Sequence, residues 1–129
     1  MNITHIDHIV LTVKNINKTM KFYESVLGMA VETFGEGRTA LKFGNQKINL
    51  HQEGKEIEPK ALKPTPGSAD LCFITKTNLE VAMEHVKSKG IKILSGPVSR
   101  TGATGSISSF YFRDPDNNLI ELANYAENT

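Results

Sequence analysis

The sequence predicts an α+β fold in which two βαβββ modules form a shared concave sheet around a cavity. Three observations predict it. The order strand, helix, three strands can be read twice along the 129 residues. The landmarks of the two passes keep step: His8 and Asp70 open the first strands, Gly28 and Gly90 stop the helices, and each pair is 62 residues apart. The third observation is the stretch 109–123, where two apolar runs flank Asp114-Pro115-Asp116-Asn117-Asn118. Pro115 presets the φ of a turn, and Asp and Asn tolerate the tight backbone after it, so this stretch reads as a β-hairpin. The chain is expected to be one domain over residues 1–129, with a first module at about 4–52, a linker at about 53–67 and a second module at about 68–125.

The elements follow in order. His-Ile-Val-Leu-Thr-Val at 8–13 alternates as a strand, with Ile9, Leu11 and Val13 on one face and His8, Val10 and Thr12 on the other. Asn15 or Asn17 caps a helix in which Ile16, Met20, Tyr23 and Leu27 recur at helical spacing. Strands are expected at 30–34, 39–43 and 46–51, with Gly44-Asn45 as the turn between the last two. Pro59, Pro64 and Pro66 break the pattern between 53 and 67. A strand at 69–75 and a helix from Thr77 or Asn78 come next, burying Leu79, Ala82, Met83 and Val86. Residues 91–94 are expected as a strand and 95–106 as a loop around Arg100, with room for a short strand at its start.

Composition narrows the functional classes. A hydrophobic share of 39% and a charged share of 22% suit a globular chain. A net charge of +1 gives no broad electrostatic case for nucleic acid or an acidic membrane. The lone Cys72 makes no internal disulfide, and no signal peptide or bilayer-length apolar run is evident, so a cytoplasmic protein is expected.

Strand alternation then selects the residues that carry chemistry. If Ile9 and Leu11, Ile48 and Leu50, Leu71 and Phe73, and Ile120 and Leu122 pack under helices, then His8, Asn49, His51, Asp70 and Glu121 face the cavity. Two His and a carboxylate with open positions suit a divalent metal such as iron, zinc, nickel or manganese. Glu121 supplies the anionic oxygen, His8 and His51 bind as neutral imidazoles, and Asp70 is a fourth ligand or a base. Each has an ordinary reading as well: a surface histidine, a solvent-facing glutamate, a turn aspartate. It is their agreement in parity that points to a site. Cys72 shares that face and reads as packing. Of Arg38, Arg100 and Arg113, Arg100 is the best placed to clamp an anionic part of a substrate or cofactor. His85 reads as a surface residue.

The stretches beginning His8-Ile-Val-Leu-Thr-Val and Thr19-Met-Lys-Phe-Tyr-Glu-Ser-Val-Leu-Gly-Met, with Phe112-Arg-Asp-Pro-Asp-Asn-Asn-Leu-Ile-Glu, resemble the vicinal-oxygen-chelate superfamily. It includes glyoxalase I, extradiol dioxygenases, fosfomycin-resistance thiol transferases and metal-free bleomycin-binding proteins. Residues 40–51 and 64–75 are similar to the short glyoxalase-domain proteins labelled type 5, commonly called lactoylglutathione-lyase-like. The resemblance implies a metal-dependent lyase or isomerase acting on a small oxygenated substrate or thiol adduct, and a homodimer. It also implies two alternatives, a metal-free binding protein and an iron dioxygenase. His8 and Glu121 match the family's metal positions, Asp70 falls where relatives have His, and Asn49 falls where glyoxalase I has Glu.

Overall fold

The computed structural model describes residues 1–126. The element order is β1 (His8–Val13), α1 (Ile16–Leu27), β2 (Ala30–Phe34), β3 (Arg38–Phe43), β4 (Gln46–Gln52), β5 (Asp70–Ile74), α2 (Leu79–Ser88), β6 (Ser95–Gly102), β7 (Gly105–Arg113) and β8 (Leu119–Tyr125). The expected βαβββ order therefore occurs twice. The chain divides into two compact units, Met1–Ser68 and Ala69–Thr129. Each holds one four-stranded sheet, ordered β1-β4-β3-β2 in the first and β5-β8-β7-β6 in the second. In both, the first strand pairs in parallel with the last, and the remaining pairs are antiparallel.

In the N-terminal unit, Asn15 caps α1 by accepting the Lys18 N–H at 2.9 Å. Gly28 ends it in the left-handed region at φ 67°, where a β-carbon would be strained. The buried stripe of α1 is Thr19, Tyr23 and Val26. Tyr23 is buried as expected, while Ile16, Met20 and Leu27 of the same expected line flank the stripe at intermediate exposure. Leu11, Val13, Leu41, Ile48 and Leu50 bury the apolar face of the sheet. Gln52, at the end of β4, joins β1 to α1: its Oε1 accepts the Ile16 N–H and its Nε2 donates to the Lys14 carbonyl.

In the C-terminal unit, Asn78 caps α2, and Leu79, Ala82, Met83 and Val86 are its buried residues, as the periodicity predicts. Phe110 and Phe112, with ring centroids 5.8 Å apart, fill the core beside Ile120 and Leu122. One expectation is corrected here. Residues 91–94 are not a strand, and an eight-residue strand, Ser95–Gly102, occupies the segment expected as a loop with room for only a short strand at its start. β6 is an edge strand, which tolerates the missing N–H of Pro97. Its register shifts between Ser95 and Val98. Gly96 sits in that shift because a β-carbon there would lie 2.6 Å from the Phe110 Cα. Among the described residues no helix is long and apolar enough to cross a membrane.

Candidate functional site

The Asp114–Asn118 turn sets the geometry of the C-terminal unit. Asp114 Oδ1 accepts the N–H groups of Asp116 and Asn118, and Asp114 Oδ2 accepts the Asn118 side-chain amide at 2.8 Å. Asn118 Oδ1 in turn accepts the Ala69 N–H at 2.9 Å. One buried side chain thus ties the β7–β8 turn to the residue before β5. The register that results puts Asp70 beside Leu119 and Cys72 beside Glu121. Parallel neighbours share a face, so Asp70, Cys72 and Glu121 point the same way, one diagonal step separating the two carboxylates. Leu71, Phe73, Ile120 and Leu122 take the other face, as strand parity requires.

Glu121 is half-buried and lies in a cavity of about 380 Å³ bounded by Cys72, Ile74, Arg100, Ile107 and Tyr125. The fully buried Ser109 hydroxyl donates to Glu121 Oε2 at 2.6 Å, fixing one carboxylate oxygen. Burial first, then the charge of Glu121 and a hydrogen bond to it, push the Cys72 thiol up to about 11, although part of the residue stays exposed. Cys72 is therefore a neutral donor to Glu121 and not a thiolate. Arg100 lies across Tyr111, its Nε donating to the phenol oxygen at 2.9 Å and its guanidinium carbon 5.5 Å from the ring centre. This rests the charge against the ring; Nη1 donates to the Ser99 carbonyl at 3.1 Å, and the donors left over are available to an anion.

The two histidines of the N-terminal unit differ. His8 Nδ1 is 2.8 Å from a carboxylate oxygen of Asp7, and this hydrogen bond is the leading cause holding the Asp7 carboxyl below its usual range. With its proton on Nδ1, His8 presents the Nε2 lone pair, the arrangement common to metal-ligating histidines. His51 is the reverse. Its Nδ1 accepts the Ile57 N–H at 3.4 Å, so the neutral ring carries its proton on Nε2 and offers a donor, not a ligand atom. Burial and then the charge of Arg38 hold His51 below its ordinary value, with Glu56 opposing. The register also separates the two. His8 pairs with Lys47 and Thr12 pairs with His51, so His51 stands four residues further along, about 13 Å at the usual strand rise. Among the described residues, no three His, Cys, Asp or Glu side chains are gathered so as to hold a metal ion.

Sequence reasoning passed over Asp7, Ser109 and Asn118. Asp7 precedes the strand and had no parity to mark it. Ser109 reads in the sequence only as one end of a hairpin. Asn118 was visible as a turn residue, but its reach to Ala69 depends on a pairing 49 residues away.

Residues 5–122 match the family described as the Glyoxalase/Bleomycin resistance protein/Dioxygenase superfamily, and the chain belongs to it. Virulence protein STM3117 of Salmonella typhimurium is 58% identical over 125 residues, covering 97% of this chain and 87% of that one. The glyoxalase domain-containing protein RDO1 of Mycosarcoma maydis is 54% identical, covering 98% and 72%. The integron cassette protein VCH_CASS1 of V. cholerae has a solved structure with 62% identity, a TM-score of 0.96 and 98% coverage of both chains. More distant is the metallothiol transferase FosB of Staphylococcus epidermidis, 28% identical over 95% of this chain and 82% of that one.

Proposed function

We propose that the chain is a divalent-metal-dependent enzyme of the glyoxalase superfamily, acting on a small molecule with two neighbouring oxygens or on its thiol adduct. The observation that carries this reading is the Asp7–His8 pair, which frees the Nε2 lone pair of His8 for a cation. Glu121, one oxygen held by Ser109, and Asp70 on the same face supply the anionic ligands. The name of the relative FosB points the same way. A bound divalent cation would act as a Lewis acid on the substrate oxygens.

The chain's own groups have the following roles in this reading. Asp7 orients His8. Ser109 and Cys72 donate to Glu121 and steady its carboxylate. Asp70, exposed at the start of β5, ligates or accepts the substrate proton. Arg100, laid over Tyr111, holds an anionic part of the substrate at the cavity. His51 leaves the ligand set, since its proton sits on Nε2. The reading includes the homodimer that the family resemblance implies, with a second copy completing each site.

The test is calorimetric titration of stripped protein with nickel, zinc, manganese and iron(II). One ion per chain is expected, lost in His8→Ala and Glu121→Ala and kept in His51→Gln. Absence of binding tighter than micromolar for all four metals overturns the reading. The second reading, a metal-free small-molecule binder, then takes its place. It is favoured by the Cys72–Arg100–Glu121 cavity, whose lining is complete within one unit.

A further inference from the structure

Asn49 and His51 are left without a role by the metal reading, and both are conspicuous. Asn49 is 5% exposed and His51 6%. Asn49 Oδ1 and His51 Nε2 are buried without a hydrogen-bond partner. Such atoms are uncommon in folded proteins, and each asks for a cause. The two side chains are alternate residues of β4, so they share a face. Thr12 is their neighbour on β1, in register with His51. Arg38 on β3 lies one step beyond the Thr39–Leu50 pair, opposite His51, with its guanidinium carbon 4.9 Å above the Phe34 ring.

The chemistry of the group is specific. The Ile57 N–H fixes the ring so that Nε2 is a donor. Asn49 Oδ1 is an acceptor. Arg38, opposite on β3, puts a positive charge close enough to the ring to oppose its protonation. The complement is a ligand with an anionic oxygen next to a hydroxyl: the anion meets His51 and Arg38, and the hydroxyl meets Asn49. We infer that Asn49 and His51, with Arg38, form a subsite in the N-terminal unit that reads a small 2-hydroxy carboxylate. Along the sheet Asn49 stands two residues and His51 four residues from His8, and the recognition of the hydroxy acid does not depend on a metal. Solvent reaches neither orphaned atom, so the cover over them parts on binding. The segment after β4 is the part of that cover tied to the ring, through Ile57.

The experiment uses full-length protein stripped of metal and follows thermal shift and the ring nitrogens of His51 by NMR. The probes are glycolate and lactate, with acetate and propionate as the matched acids lacking the hydroxyl. The hydroxy acids are expected to bind at least tenfold tighter than their partners and to move the His51 nitrogen signals. Asn49→Leu removes the acceptor and is expected to bring that ratio to about one without lowering the melting temperature of the free protein. His51→Gln keeps a donor amide and is expected to retain discrimination. Equal binding of glycolate and acetate by the wild type overturns the inference, whatever the metal titrations give. So does a ratio that survives in Asn49→Leu. Should Asn49→Leu not fold, Asn49→Asp substitutes for it: its added charge should expel all four acids, and unchanged binding there overturns the inference too.

Discussion

His51 and Cys72 show how a single side chain takes its chemistry from its neighbours. His51 is buried, and Arg38 adds to the cost of charging it, so it folds neutral with a value below its ordinary 6.5. The unfolded chain then takes up the proton first as pH falls. Stability from this residue is full above pH 6.5 and is lost progressively below it, down to the folded-state value. The melting temperature should fall across that window in the wild type, and the fall should be shallower in His51→Gln. Cys72 is shifted the other way. Its thiol near 11 should make the metal-free protein slow to react with iodoacetamide at pH 8, and Glu121→Gln, which removes the charge opposing the thiolate, should speed the reaction several-fold. An unchanged rate would mean that Glu121 does not hold the thiol. Neither residue's state could be read from the sequence. Parity showed which way His51 points, but its tautomer depends on Ile57, and the shift on Cys72 depends on a strand 49 positions away.

At the scale of elements, local signals were legible and long-range ones were not. The sequence narrows the caps to Asn15 or Asn17 and to Thr77 or Asn78, of which Asn15 and Asn78 serve, and the buried set of α2 follows from spacing alone, because helix contacts repeat within a few residues. The last strands of both units and the faces of Asp70 and Glu121 also follow, since alternation held without a bulge in β5 or β8. The strand at Ser95–Gly102 escaped because Gly96, Pro97 and Gly102 read as loop, while its hydrogen bonds come from β7. The Asp114–Asn118 turn should be the most sensitive joint in the C-terminal unit. Asn118→Leu leaves the buried Asp114 carboxylate and the Ala69 N–H short of partners, and should cost about 2–4 kcal/mol in denaturant unfolding. By contrast Tyr125→Phe, which removes the acceptor for the Thr104 N–H at the β6–β7 tip, should cost under about 1 kcal/mol but raise hydrogen exchange at that tip.

For the whole molecule, the question is how ligands drawn from different strands come together. Strand parity in the sequence gathers His8, His51, Asp70 and Glu121 at one cavity, whereas among the described residues no three such side chains are brought together so as to hold a metal ion. Mixing provides the check. On the proposed homodimer, the His8→Ala and Glu121→Ala variants should each bind no metal. If each site takes His8 from one copy and Glu121 from the other, refolding the two variants together should restore one ion per mixed dimer. Sedimentation of the wild type as a monomer, or mixed dimers that stay empty, would count against that arrangement. The doubled βαβββ plan was legible as a whole because its landmarks repeat in step, even though few letters do.

The sheet orders carry a consequence for how the chain is made. In each unit the first strand lies at an edge, and its one sheet neighbour is the fourth strand: β1 beside β4, β5 beside β8. As the chain leaves the ribosome, β5 emerges early in its unit and waits, unpaired, until β8 follows. The N-terminal sheet can close while the C-terminal unit is still being translated, but the second sheet cannot close until synthesis has passed Tyr125. A premature stop before Leu119 therefore does more than shorten an edge. It deprives β5 and β7 of the strand that lies between them, and leaves the nascent second unit as a substrate for chaperones or proteases.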